Sequence, residues 1–163
     1  MNIVYVENIK PHHQAYLRSV FQSPEPGEPV RISKRHDIGK TFFALLEKSE
    51  KPRYGKTGTP FLLPDDANLN FNIYCYYLPK DRQKQFLSYI ESYYNLDMLY
   101  FMYVSKQMRL INYDSAELFY TANGISPDTI SCDAAVKKDY RKRSEIKKRI
   151  RSAIKSLTGQ IIK

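Results

Sequence analysis

The chain has 163 residues, 42% of them hydrophobic, with fourteen Tyr and eight Phe but no Trp, and a formal net charge of +9. That length bounds one domain with an ordinary core and leaves room for a terminal appendage. Its longest uninterrupted apolar run, Met98–Val104, is far too short to cross a bilayer. The two cysteines, Cys75 and Cys132, form no CxxC, which argues against a disulfide framework or a cysteine zinc site and fits a reducing compartment.

The opening MNIVYVENIK has too short an apolar run for a signal peptide, so a soluble, cytoplasmic protein is expected. Ile3–Val6 reads as a short β-branched strand. Pro11 opens a helix through about Phe21, with His12 and His13 in its first turn. SPEPGEP at 23–29 is a loop dense in Pro and Gly, and Val30–Ser33 a second strand. Asp37 is an N-cap for a helix reaching Glu47, whose residues Ile38, Phe42, Leu45 and Leu46 share one face.

Lys48–Thr59 is polar, holds Pro52, Gly55 and Gly58, and reads as a mobile surface loop. Phe61–Leu63 is a short strand and Pro64-Asp65-Asp66 a turn. Phe71–Leu78, loosely alternating and rich in Tyr, is the best strand. Asp81 opens a helix with Phe86, Ile90, Tyr93 and Tyr94 on one side, interrupted at Asn95-Leu96-Asp97. Met98–Ile111 fits a buried strand or a helix carrying Phe101, Val104, Met108 and Ile111 on one face, and its length favours the helix. The fold class is therefore α+β: a small N-terminal sheet with helices, then a helical half ending in a basic helix. Residues 1–112 form the mixed body and 113–163 the helical segment.

The charge is distributed unevenly. Lys137–Lys163 holds eleven Lys/Arg against two Asp/Glu, a net +9, and residues 1–136 hold fifteen of each and sum to zero. The segment reads as a helix from about Asp133 to Leu157, stopped by Gly159. Val136, Tyr140, Ile146, Ile150, Ala153, Ile154 and Leu157 cluster on one face, interrupted by Arg143 and Lys147. A solvated capping helix is the bland alternative, but such a helix usually mixes Glu with Lys for i,i+4 pairs. A basic amphipathic helix can also lie on anionic membranes. This one lacks Trp and Phe on its apolar face, so no membrane partner is expected.

Motifs for chemistry are sparse. Gly-Lys-Thr occurs at Gly39–Thr41 and Gly55–Thr57, but a phosphate-binding loop needs Gly five residues upstream, where this chain has Lys34 and Glu50. His12 and His13, adjacent in a helix, point about 100° apart; with the remote His36 they read as surface or cap residues. Pro64-Asp65 resembles the start of a nuclease carboxylate motif, but the following strand carries no acid. No Ser-His-Asp or Cys-His arrangement stands out. The expectation is a protein that is not an enzyme and takes no metal or cofactor.

In 114–133, Asp114 with Glu117 makes a capping box. Asn123-Gly124 stops that helix with Gly124 left-handed, Ile125 turns into the core, and Ser126-Pro127 caps a second helix. The run Gly124–Ser131 resembles the turn and second-helix start of helix-turn-helix DNA-binding proteins. The resemblance implies a turn at Gly124 and helices locked by Ile125 and Ile130. Asp128, Thr129, Ser131 and Cys132 would then face a groove. An ordinary helical hairpin in the core remains the alternative.

The combined reading is non-enzymatic nucleic-acid binding, DNA more than RNA. Lys137, Lys138, Arg141, Lys142, Arg143, Lys147, Lys148, Arg149 and Arg151 would contact phosphates, and Thr129 and Ser131 would contribute sequence preference. The alternative is a viral or mobile-element assembly accessory whose basic helix docks an acidic partner or packaged nucleic acid, with a homo-oligomer or protein partner left open.

Overall fold

The structure is a computed structural model describing residues 3–161 apart from 24, 26, 52–56, 65–68 and 71–73; on the last helix, side chains are described through Glu145 and at Lys148. The fold is α+β, and its C-terminal half is helical. The strands are β1 (Ile3–Val6), β2 (Val30–Arg31), β3 (Glu47–Ser49), β4 (Thr59–Leu62) and β5 (Cys75–Tyr77). The helices are α1 (Pro11–Val20), α2 (Asp37–Leu45), α3 (Lys80–Gln107), α4 (Asn112–Ala122) and α5 (Cys132–Ile161).

One sheet has the order β1-β4-β2. β4 pairs antiparallel with β1, Ile3 opposite Leu62 and Val6 opposite Thr59, and parallel with β2 from Phe61 onward. Alternation decides its faces: Val4, Val6, Thr59 and Phe61 are buried while their neighbours are half-exposed, the period of two that a one-sided sheet demands. Pro60 sits one residue before the β2 pairing starts, where a missing N–H costs least. The other sheet joins β3 and β5 antiparallel, Glu47 opposite Tyr77. The strand expected over Phe71–Leu78 is thus three residues within that span, with 71–73 outside the described residues. The polar stretch after Leu46 begins as a strand rather than a loop.

α3 is the spine. Its buried residues Phe86, Ile90, Tyr94, Met98 and Met102 run beneath the sheet and then beneath the other helices. Toward the sheet, Phe42 stacks on Phe61 at 5.1 Å and meets Phe86 at 4.9 Å. Toward the helical end, Tyr94 meets Tyr16 at 5.3 Å and Phe119 at 5.8 Å. These rings, with Ala116, Ile125, Cys132 and Ala135, belong to one buried cluster; each large side chain removed from water contributes about 1.5–3 kcal/mol.

Several expected boundaries move. α2 is capped by His36, whose Nδ1 accepts from the Ile38 N–H at 3.2 Å, and it ends at Leu45 rather than Glu47. α3 runs unbroken through Asn95-Leu96-Asp97 because those polar groups have tertiary partners: Asp97 accepts from the Tyr16 hydroxyl at 2.9 Å, and Asn95 from Lys138. Val104 near its far end and Met108 and Ile111 just beyond it are exposed, and Met98, Met102 and Ser105 are buried instead.

α4 starts at Asn112, so Asp114 lies in its first turn instead of capping it. Its end matches the expectation: Gly124 has φ +62°, the Ile125 N–H donates to Tyr120 O at 2.9 Å, and the Gly124 N–H to Thr121 O at 3.1 Å. This is a Schellman closure with Ile125 buried beside Tyr120. The second helix does not start at Ser126-Pro127. Those residues form a turn, held by Thr129 N–H to Ser126 O at 3.0 Å, and α5 begins at Cys132. α5 also continues through Gly159, which does not stop it.

Candidate nucleic-acid interface

α5 has an inner and an outer face, and the inner one is built around an acid. Cys132, Ala135 and Asp139 are buried, and Val136 is half-buried. Tyr140, expected on the apolar stripe, is 74% exposed, whereas Asp139 is only 5% exposed. The reason is ion pairing. Asp139 Oδ2 accepts from Lys106 Nζ at 3.2 Å and Oδ1 from Arg143 Nε at 2.9 Å. A buried carboxylate with two cationic donors is far better placed than one without. The Arg143 half, an i,i+4 pair, was legible in the sequence; the Lys106 half, 33 residues away, was not.

The expected phosphate contacts divide accordingly. Arg143 is held by Asp139, Lys142 by Glu145 at 3.3 Å, and Lys138 reaches Asn95. Lys137, Arg141 and Lys148 are exposed, and among the described residues no ion pair engages them. At about 100° per residue, positions 137, 141 and 148 all lie opposite Asp139. The side chains of Lys147, Arg149 and Arg151 lie outside the described residues, as do those of Ile146, Ile150, Ala153, Ile154 and Leu157 from the expected apolar stripe.

The 123–131 connection separates α4 from α5. Thr129 is exposed, with its Oγ1 donating to Ser126 O at 2.7 Å. Ser131 is exposed and its carbonyl accepts from the Tyr120 hydroxyl at 3.4 Å. Thr129 therefore projects from a turn and Ser131 from the position just before α5, where its carbonyl accepts from the Ala134 N–H at 3.1 Å; neither lies in the first turn of a helix. Cys132, expected to face a groove, is buried, and burial raises its thiol pKa.

The remaining motifs also find places. Gly39 is buried where a Cβ would collide with the Ser33 carbonyl, and Lys40 pairs with Asp37 at 2.8 Å. That glycine permits close packing of α2 on the preceding chain. Gly55 and Lys56 lie outside the described residues, as do Asp65 and Asp66; Thr57 donates to Glu7 at 3.0 Å. His36 caps α2 as expected of a cap residue, but His13 is buried rather than at the surface. The His12 and His13 rings lie 4.3 Å apart, centroid to centroid. Both line a cavity of about 180 Å³ between α1, α3, α4 and α5.

Among the described residues, no group of His, Cys, Asp and Glu could hold a metal ion, and no helix is long and apolar enough to cross a membrane. Comparison of the chain with family models, curated proteins and solved structures returned no match.

Proposed function

We propose that the protein binds nucleic acid, DNA in preference to RNA, through the outer face of α5, and that it does so without catalysing a reaction. The observation that carries this reading is the pairing of local charge with local geometry. The chain's whole excess of +9 lies in Lys137–Lys163, and the described bases with no internal partner there, Lys137, Arg141 and Lys148, share one exposed side. Phosphate neutralisation by such a side, with counterion release, supplies affinity that falls steeply with salt. Thr129 and Ser131, exposed in the connection before α5, would add any base preference. The test is binding of duplex DNA and of single-stranded RNA of matched length at low and high salt. Tighter DNA binding that weakens at high salt is expected; salt-insensitive binding, or none, would overturn the proposal.

A second reading, a viral or mobile-element assembly accessory, is favoured by a different surface. Leu96, Tyr100 and Tyr103 on α3 are 68%, 67% and 59% exposed, and their i, i+4, i+7 spacing makes one stripe on the helix side away from the core. Exposed aromatic and aliphatic area of this kind suits a protein interface. Analytical ultracentrifugation of Tyr100→Glu beside the wild type decides whether that stripe joins copies of the chain.

A further inference from the structure

Among the described residues, every large apolar side chain left exposed lies between Leu96 and Tyr140, on the helical end of the molecule. The α3 stripe within that surface is nearly the same in both directions from Leu96. Steps of four, seven and eleven residues lead back to Ser92, Tyr89 and Gln85 and forward to Tyr100, Tyr103 and Gln107. Such steps keep to one side of an α-helix. Tyr89 is half-exposed, and the other six residues of the series are exposed.

The two halves differ in shape. On the N-terminal half, Gln85, Ser88, Tyr89 and Ser92 line a shallow hollow together with Lys84. On the C-terminal half, Tyr100 and Tyr103 stand out from the helix, 67% and 59% exposed. A parallel pair of such helices would set Tyr on Tyr and Ser on Ser. An antiparallel pair sets each projecting half on a hollow one. Charge narrows the partner further. The chain carries +9, so two copies repel wherever their bases meet. From Ser92 to Ser105 the one charged residue is Asp97, and it accepts from the buried Tyr16 hydroxyl at 2.9 Å. An acidic partner finds nothing to pair with there, and a partner that is itself basic meets no repulsion.

We propose that two copies of the chain join through this stripe as an antiparallel α3 pair, with the two-fold axis beside Leu96. That pairing rests on the reading of the stripe as a protein interface, and it names the partner and the register. Leu96 meets its own counterpart on the axis. Tyr100 enters the hollow beside Ser92 of the other copy, Tyr103 lies against Tyr89, and Gln107 against Gln85. The contact is isologous, so each of these pairs occurs twice. Lys84, twelve residues before Leu96, comes opposite Met108, twelve after it. Its methylene stem covers the thioether while the ammonium stays in water. Size is adequate too. With a Tyr offering about 150–250 Å², the exposed parts of Leu96, Tyr100 and Tyr103 come to roughly 400 Å² a copy. Two copies with their flanking residues then reach the roughly 1,000 Å² of a specific interface.

Sedimentation of the full chain across about 1–100 μM should show a reversible monomer–dimer equilibrium. Added salt should leave the dimer as tight or tighten it, because screening removes repulsion between like-charged copies. Tyr100→Glu should weaken dimerisation at least about 100-fold, since a two-fold contact buries the unpaired carboxylate twice. Ser92→Tyr adds apolar area, yet it should weaken dimerisation about 10-fold or more by filling the hollow that Tyr100 needs. Ser92→Tyr/Tyr100→Ser exchanges projection and hollow and should restore most of the wild-type affinity. Circular dichroism checks that each variant, changed only at exposed positions, stays folded. A wild type that stays monomeric would overturn the proposal and leave the stripe to a different partner. A dimer loosened by salt, or indifferent to Tyr100→Glu, would remove the stripe from the contact between copies and take the interface reading with it. A dimer broken by Tyr100→Glu but strengthened by Ser92→Tyr, or not restored by the exchange, would keep the interface and overturn the antiparallel register.

Discussion

The inner and outer faces of α5 carry the same residue types to opposite ends. Inside, Asp139 draws Lys106 and Arg143 into a partly buried network, and there cations serve the fold. Outside, Lys137, Arg141 and Lys148 meet solvent, and among the described residues no ion pair engages them. Net charge is therefore a poor count of available charge. Of the bases described between Lys137 and Lys148, Lys138, Arg143 and Lys142 already have partners within the chain. A charge-reversal experiment aimed at Arg141, Lys142 and Arg143, one of two runs of three consecutive bases in the sequence, would mix the two faces: glutamate at 143 would sit against buried Asp139 and damage the fold.

The inner face should give the largest effect on stability. Asp139→Ala leaves Lys106 and Arg143 without their shared acceptor and should cost about 2–3 kcal/mol in urea unfolding. A loss below about 0.5 kcal/mol, the size of an ordinary surface change, would mean that the network contributes nothing and that the two faces do not differ. Arg143→Met should cost less, since Lys106 still serves the carboxylate.

A smaller effect comes from acid. His13 is held with a pKa of about 4 against 6.5 when free. The unfolded chain therefore takes up a proton that the folded chain refuses. The contribution is present above pH 6.5 and is lost as pH falls from 6.5 toward 4. His13→Gln should flatten that limb of the stability–pH curve relative to the wild type, as read by denaturant midpoints at pH 7.5, 6 and 5. Equal slopes in the two proteins would contradict a buried neutral His13. The smallest effect belongs to the outer rim. Lys142→Gln removes a pair exposed on both sides and should shift stability by less than about 0.5 kcal/mol; a larger loss would extend the structural network around the helix.

How much of this was legible in the sequence differs from one residue to the next. The end of α4 could be read because Asn123-Gly124 names its own geometry. α3 ends in the same kind of closure at Arg109, φ +65°, with the Leu110 N–H donating to Ser105 O at 3.1 Å, but nothing in Met108-Arg109-Leu110 announces it. Asn95 and Asp97 looked like helix breakers because their partners, Lys138 and Tyr16, lie far away in the chain. The placement of Tyr140 on the apolar stripe, with Asp139 left out of it, followed hydrophobicity alone. The structure inverts that order because a buried acid with two cations is tolerated and a tyrosine on the outside is not costly. The uneven charge was visible from the start. Which bases remain available depends on tertiary partners, and the histidine cavity depends on four helical regions meeting; no local pattern encodes either.

The central claim is that the outer face of α5 binds polyanion, and the direct measurement is a salt titration of duplex DNA binding for wild type and for Lys137→Gln/Arg141→Gln/Lys148→Gln, with circular dichroism and urea unfolding as folding controls. If each of the three residues neutralises one phosphate, the slope of log K against log salt should become shallower by about 2.7 in the triple variant, with weaker binding on every sequence and stability unchanged. A folded triple variant with the wild-type slope and affinity would contradict the account.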